Sequence, residues 1–139
     1  MTTVLLATVG GSHQPIVTAI VGNRPDHVVF FCTDRDPATG RAGSRAQIEG
    51  KGLCIKSAPG DAKATLPNIP TQCRLAPDAW EIRIVPADDM DGAFAVMRAA
   101  VADLRRRFPG ARLSADYTGG TKTMTAALVL AALESADVE

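Results

Sequence analysis

Apolar residues recur along this chain in two rhythms, short runs and helical stripes, and they alternate from one end to the other. Thr3 to Val9 is an almost unbroken apolar run that stops at Gly10-Gly11, the pattern of a strand covered on both faces. A helix is expected next, with Ile16 to Val21 in its body. Ser12 can cap it, and Pro15 falls in its first turn, where the missing N–H costs nothing. His27 to Cys32, β-branched and aromatic, predicts a second strand, and the alternation of Glu81 to Val85 a third. From Asp91 to Phe108 the helical signal is strongest. Phe94, Met97, Val101, Leu104 and Phe108 follow one another at steps of three and four, while Arg98, Asp103, Arg105 and Arg106 fall off that stripe. Pro109-Gly110 stops the helix, Arg112 to Asp116 predicts a fourth strand, and Thr121 to Glu134 a last helix.

Strands alternating with helices imply an α/β domain with a mostly parallel, Rossmann-like sheet, right-handed crossovers and helices on both faces. The middle is weaker. Residues 41–56 can hold a helix, although Gly43, Gly50 and Gly52 interrupt it. Residues 58–79 carry four prolines and read as an irregular insert. Ser135 to Glu139 looks like a turn and the start of one more strand. The expectation is therefore a single domain over 1–139 that lacks C-terminal strands and forms the N-terminal part of a longer protein.

Composition narrows the functional classes. With 139 residues, 46% of them apolar, the chain can build a packed core and bury roughly two-thirds of its unfolded surface. Fifteen acidic residues balance fifteen basic ones, so bulk attraction to duplex nucleic acid is not indicated and any anion site must be local. Cys32, Cys54 and Cys73 are widely spaced and lack a Cys-x-x-Cys pairing. With only His13 and His27 beside them, idle thiols in a reducing cytoplasm are the better reading than a zinc site. No metal is expected. The apolar run from Val4 to Val9 has no basic flank and is too short for a signal peptide or a membrane span, so a soluble, cytoplasmic protein is expected.

The chemistry concentrates at two turns. Gly10-Gly11-Ser12-His13-Gln14 follows the first strand, and Thr118-Gly119-Gly120-Thr121-Lys122 follows the fourth. Both belong on the rim at the carboxyl ends of the strands, where ligands bind in doubly wound sheets. Glycines admit close backbone approach, helix-start N–H groups and the helix dipole favour an anion, and Lys122 adds an ammonium in the first turn. Gly-Gly also occurs wherever a strand bends tightly into a helix, but two such turns on one rim favour a joint site. Neither turn is a familiar nucleotide loop. A Walker A loop would need glycines where Asp116 and Thr121 stand, and Gly-Gly-Ser-His-Gln-Pro is not Gly-x-Gly-x-x-Gly, so no redox dinucleotide or other cofactor is expected.

The segments Thr8-Val9-Gly10-Gly11-Ser12-His13-Gln14-Pro15-Ile16 and Asp116-Tyr117-Thr118-Gly119-Gly120-Thr121-Lys122-Thr123-Met124 closely resemble the two signature turns of CARF domains. These are the CRISPR-associated Rossmann-fold sensors of type III CRISPR antiviral defence. Ile84-Val85-Pro86-Ala87-Asp88-Asp89-Met90-Asp91 also looks like the family's third strand and the acidic approach to its helix, whereas residues 34–79 contribute little. The resemblance implies a homodimer that binds cyclic oligoadenylate, the tetra-adenylate first on family grounds, across its two-fold axis and regulates a fused or associated effector. It also implies an alternative, a metal-independent ring nuclease that cleaves the messenger to linear products with a 2′,3′-cyclic phosphate. No effector is visible here: both histidines come early and no Arg-x4–6-His ribonuclease motif is present. A mononucleotide-binding Rossmann domain is a further reading.

On these grounds the candidate ligand-binding residues are Gly10, Gly11, Ser12, His13, Gln14, Thr33, Asp34, Arg35, Thr118, Gly119, Gly120, Thr121 and Lys122. Lys122 is expected to meet a ring phosphate or a ribose hydroxyl, because a cation at a helix start opposes the dipole unless an anion is present. Thr118, Gly119, Gly120 and Thr121 would offer backbone and hydroxyl donors. Ser12 is either a cap or a ligand contact, and with Lys122 it would act in cleavage if the protein is a ring nuclease. His13 and Gln14 read first as surface-loop residues and second as contacts to a base or ribose. Thr33, Asp34 and Arg35 lie on the same rim and are base candidates. Asp116 is expected to orient its turn, Trp80 and Tyr117 to pack, and Arg105-Arg106-Arg107 to form a solvated helix face.

Overall fold

The computed structural model describes residues 1–49, 54–56, 64–135 and 138 of the chain, the side chains of 54–56, 64 and 65 excepted. Four strands form a parallel sheet: β1 (Thr3–Thr8), β2 (His27–Cys32), β5 (Trp80–Ile84) and β6 (Arg112–Asp116). Their spatial order is β5-β2-β1-β6, with Leu5 beside Val28 and Ser114, and Phe30 beside Ile82. The chain thus winds outward from β1 in one direction through β2 to β5, then crosses back to place β6 on the other side of β1.

Both faces of the sheet are covered, which is why β1 and β2 are apolar without alternation. On one face Val4, Leu6, Val29 and Phe31 pack with α3 (Met90–Arg107) and α4 (Lys122–Glu134). On the other, Leu5, Ala7, Val28 and Phe30 pack with Ile16 and Ile20 of α1 (Gln14–Asn23). The α3 stripe is as the spacing predicted: Met97, Val101 and Leu104 are buried, and Phe94 and Phe108 pack at its margins. Asp89 caps α3, its Oδ1 accepting from Gly92 N at 3.0 Å. Trp80 packs edge-on against Phe30, with ring centroids 6.3 Å apart, while Tyr117 stands exposed.

The middle of the chain differs from expectation. Where a helix was expected over 41–56, the described residues hold a single 3-10 turn, Ser44–Gln47, and a short strand β3 (Cys54–Lys56). Residues 58–79, expected to be irregular, contain β4 (Ala64–Leu66), antiparallel to β3, and a one-turn helix α2 (Ile69–Gln72). The four prolines masked these elements. Pro70 sits in the first turn of α2, which Asn68 caps by accepting from Thr71 N at 2.9 Å. Ile69 and Ile48 then fill the α1-side core. At the other end Val138 forms a parallel bridge to Leu113, while residues 136, 137 and 139 lie outside the described residues. No described helix is long and apolar enough to cross a membrane.

Charge pairing gathers at the amino ends of the strands. Glu81 Oε2 meets His27 Nε2 at 2.8 Å and Arg107 Nη2 at 2.7 Å, and Asp103 pairs with Arg83, Arg106 and Arg107. Burial pushes the Glu81 carboxyl up, but hydrogen bonds from Arg107, His27 and Arg83 outweigh it and bring it from 4.5 down to about 2. Arg107 is therefore anchored rather than simply solvated, a correction to the expectation for the Arg105–Arg107 run. Arg106 remains 78% exposed and matches it. The cause is that Arg107 lies one turn beyond Asp103, on the side of α3 facing β5.

Candidate functional site

The two glycine turns are packed backbone against backbone. β1 and β6 are neighbours, with Ala7 beside Asp116, so both turns leave the sheet at its carboxyl edge, where the crossover direction reverses. Thr8 Oγ1 donates to Gly119 O at 2.5 Å. A Cβ on Gly10 would lie 2.5 Å from Gly120 N and 2.9 Å from its Cα, and one on Gly119 would lie 2.5 Å from Thr8 O. Gly120 itself has φ +88°, a left-handed conformation that side chains resist. Glycine at these places is demanded by the contact between the turns.

The start of α4 completes this wall. Thr121 caps the helix, its Oγ1 accepting from Met124 N at 3.2 Å while donating to Ala87 O at 2.6 Å. Asp116 Oδ1 accepts from both Thr118 N (2.9 Å) and Thr118 Oγ1 (2.7 Å), so this aspartate holds the turn. The hydroxyls of Thr118 and Thr121 are thus engaged inside the protein, contrary to their expected use as ligand donors. The main-chain N–H groups remain. Thr125 N to Thr121 O, 2.9 Å, is the first bond of the helix, which leaves the amides of Lys122 and Thr123 without intrahelical partners. Lys122 is exposed, and among the described residues it has no carboxylate partner.

The opposite wall comes from the segment after β2, which sequence reasoning largely missed. Thr33 and Ser44 clasp its neck: Ser44 Oγ accepts from Thr33 N at 3.0 Å, and Thr33 Oγ1 from Ser44 N at 2.9 Å. Gly43 packs directly on the Thr33 carbonyl, where a Cβ has no room. The glycine read as a helix breaker therefore marks a close backbone crossing. Gln47 Nε2 donates to Gly10 O at 2.6 Å and ties this segment to the first turn. Arg41 of the same segment lines the cleft.

Together these walls enclose a cleft of about 500 Å³. Gly10, Gly11, Thr33, Gly120 and Thr121, expected from the sequence, line it. Arg41, Ala42, Gly43, Ser44, Gln47, Ala87 and Met124, not expected, line it too. Among the described residues, Arg41 is the one charged residue of that lining. Ser12, Gln14, Thr118, Gly119 and Lys122 sit beside the cleft on its turns and helix starts rather than in its lining. Ser12 does not cap α1: His13 is the N-cap, without a side-chain bond, because the helix begins one residue later than the serine could reach. His13 is buried at 7% exposure rather than on a surface loop, and its Nε2 has no partner among the described residues. Asp34 and Arg35 face a neighbouring hollow, where Asp34 Oδ2 pairs with Arg45 at 3.3 Å and Arg35 Nη1 donates to Gly40 O at 2.7 Å. No signal along the chain announced Arg41 or Gln47, since each is placed by the clasp rather than by a neighbour in sequence.

No family model matches the chain, and no curated protein matches it by sequence. Solved structures do match by shape. Csm6 of Enterococcus italicus, bound to cyclic hexa-2′-fluoro-hexa-dAMP, superposes with a TM-score of 0.68 over 99% of this chain at 16% identity. Can2 of Sulfobacillus thermosulfidooxidans, in complex with cyclic tetra-adenylate, superposes with a TM-score of 0.59 over 95% at 14% identity. The chain shares the parallel, Rossmann-like α/β fold of those two structures. The chain spans about a third of the length of those two proteins, 32% and 29% respectively. At such identities the likeness carries the arrangement of strands and helices, and the residues of the cleft must be argued from this structure.

Proposed function

We propose that this chain binds a cyclic oligoadenylate, through the glycine-turn cleft and across a pair of copies, as the sensor of a type III CRISPR response that regulates a fused or associated effector. The observation that carries this is the direct contact of the two turns at the switch point. It supports a site in which Arg41 in the cleft lining and the start of α4, with Lys122 beside the cleft, serve one anion. The likeness in fold to two proteins solved with cyclic oligonucleotides supports the ligand class.

A cleft of about 500 Å³ is of the size that takes one small organic ligand, so a ring of four or six nucleotides extends beyond one copy. A two-fold axis through the ring doubles the amides and cations available to its phosphates. Leu130 (50% exposed) and Leu133 (74% exposed), one turn apart on the outer side of α4, give a second copy apolar surface to cover.

The test is calorimetric titration of the purified protein with cyclic tetra- and hexa-adenylate, with AMP alongside and chromatography of the ligand afterwards. The expected result is one ring bound per two chains, far more tightly than AMP. AMP bound as tightly as the ring would make this a mononucleotide domain instead. Lys122, exposed and without a carboxylate partner among the described residues, stands at the start of α4 with two amides that lack intrahelical partners, and this also supports cleavage, because these groups can stabilise charge on a phosphorane-like centre. In that chemistry the ribose 2′-oxygen attacks the adjacent phosphorus and the 5′-oxygen leaves, giving a 2′,3′-cyclic phosphate and a 5′-hydroxyl. Lys122, with Ser12 at the lip, would orient the ring. Linear products formed without added metal would assign this activity, and an intact ring would assign sensing alone.

A further inference from the structure

Gly10 is held from two sides at once. On one side it faces Gly120 so closely that a Cβ would lie 2.5 Å from Gly120 N. On the other its carbonyl accepts from Gln47 Nε2 at 2.6 Å. The Gly120 turn is secured by the bond from Thr8 Oγ1 to Gly119 O, so that wall of the cleft is fixed to β1. The wall after β2 is built differently. Among the described residues, the hydrogen bonds of 34–42 close within 34–45. Arg35 Nη1 donates to Gly40 O at 2.7 Å, Asp36 N to Arg41 O at 2.9 Å, and Arg45 Nη1 to Asp34 Oδ2 at 3.3 Å. Arg41 thus rides on a self-contained loop that joins the sheet at the Thr33–Ser44 neck, and Gln47 makes the bond from its root to the first glycine turn.

That root does not need the Gln47 side chain to be placed. Ser44, at one end of the 3-10 turn, is buried and clasped by Thr33, and Ile48, directly after Gln47, is fully buried in the α1-side core. The backbone at 47 is therefore set by its neighbours, and the side chain, in the cleft lining, spans the gap to Gly10. Such a bond sets a distance rather than a fold. Groups that must grip one ligand together lose affinity when their spacing drifts, and a supporting hydrogen bond holds that spacing. We propose that Gln47 is the positioning residue of the cleft: its bond to Gly10 O sets the separation between the loop that carries Arg41 and the wall that carries the start of α4, so that both meet one ligand. This assignment rests on the function proposed above and adds the residue that makes two separately built walls act as one site.

The experiment uses the whole chain with Gln47→Met, which keeps the side chain's length and removes its donor, alone and combined with Arg41→Ala. The amide nitrogen of Gly11 belongs to the peptide group whose carbonyl Gln47 engages, so its NMR signal reports on that bond without any ligand. Gln47→Met is expected to move the Gly11 signal and to leave the melting temperature near the parent's. It should weaken binding of cyclic tetra-adenylate about three- to tenfold, the worth of one hydrogen bond. Arg41→Ala should then cost less affinity in the Gln47→Met background than in the parent, because a displaced loop no longer brings Arg41 to the ligand. Additive losses would overturn the positioning role and leave the proposed function standing, as would an unchanged affinity of Gln47→Met with a moved Gly11 signal. An unmoved Gly11 signal would show that the bond does not form and overturn the inference at its root. A loss of affinity that merely follows a fall in melting temperature would mean that Gln47 serves the fold alone. Absence of binding by the parent would remove the proposed function and this role with it.

Discussion

Alanine placed at Gly10 and at Gly11 should produce opposite results, although the two positions are adjacent. A Cβ at Gly10 meets Gly120 N at 2.5 Å and Gly120 Cα at 2.9 Å, against backbone that cannot swing aside as a side chain would. Gly120 is fixed in turn by its own φ of +88° and by the bond from Thr8 to Gly119, so the strain must part the two turns. Overpacking of this kind costs about 1–3 kcal/mol, or roughly 3–10 °C in melting temperature for a domain of this size. A Cβ at Gly11 meets nothing within 4 Å and stands in the lining of the cleft. Gly11→Ala should therefore melt no lower than the parent, and up to about 1 kcal/mol of stabilisation is reasonable because alanine restricts the unfolded chain. It should nonetheless weaken ring binding, by occupying space the ligand needs. Differential scanning fluorimetry with and without cyclic tetra-adenylate reads both effects. A Gly10→Ala protein as stable as the parent would refute the contact between the turns, and with it the account of the site.

Three further outcomes follow from the same geometry. Arg41→Ala should leave the unfolding free energy within about 0.5 kcal/mol of the parent, as surface substitutions do, but lower ring affinity and flatten its salt dependence; an unchanged salt slope would remove Arg41 from the site. Thr121→Ala removes both the α4 cap and the bond to Ala87, so a loss of about 0.5–2 kcal/mol in urea unfolding is expected, with Thr121→Ser restoring most of it; a neutral alanine variant would count against the cap. Glu81 has a folded pKa of about 2 against an ordinary 4.5, so its contribution is complete above about pH 4.5 and is lost as pH falls toward 2. Melting temperature followed from pH 6 to pH 2 should thus drop more steeply for the parent than for Glu81→Gln, and parallel profiles would show that the Glu81 network adds no pH-dependent stability.

Most of the sheet was legible because its strands answer to one constraint. β1 and β2 are covered on both faces, so every position must be apolar, and a run such as Leu5-Leu6-Ala7 says strand without help from its neighbours. α3 was legible for the complementary reason, a single buried stripe. The segment after β2 was not. Its placement depends on a reciprocal pair of hydrogen bonds between Thr33 and Ser44, eleven residues apart, and on Gly43 passing against a carbonyl. None of these has a period. Threonine and Gly-Gly at 118–120 were legible as a turn, yet their division of labour was not: only the structure shows that Asp116 consumes the donors of Thr118 and that Ala87 takes the hydroxyl of Thr121. Sequence marks where a backbone must turn, and tertiary contact decides which donors are left over for a guest.

The distribution of charge carries that point further. The chain has no net charge, so the proposed attraction for a polyanion cannot come from its overall field. In that proposal it comes from segregation. Glu81 and Asp103, two strong anions, are drawn to the amino ends of the strands, where His27 and Arg83, Arg106 and Arg107 surround them. At the carboxyl ends Arg41 lines the cleft and Lys122 stands exposed at the start of α4, neither with a carboxylate partner among the described residues, and the dipole of α4 adds its positive end. Moving a carboxylate across the molecule should then matter more than changing the total. Ala42→Glu, beside Arg41 in the cleft lining, and Ala102→Glu, on the outer side of α3, alter the net charge equally. Only the first should weaken ring binding at moderate salt. Equal losses from both would mean that bulk charge governs the encounter, and the cleft would lose its claim to a locally built anion site.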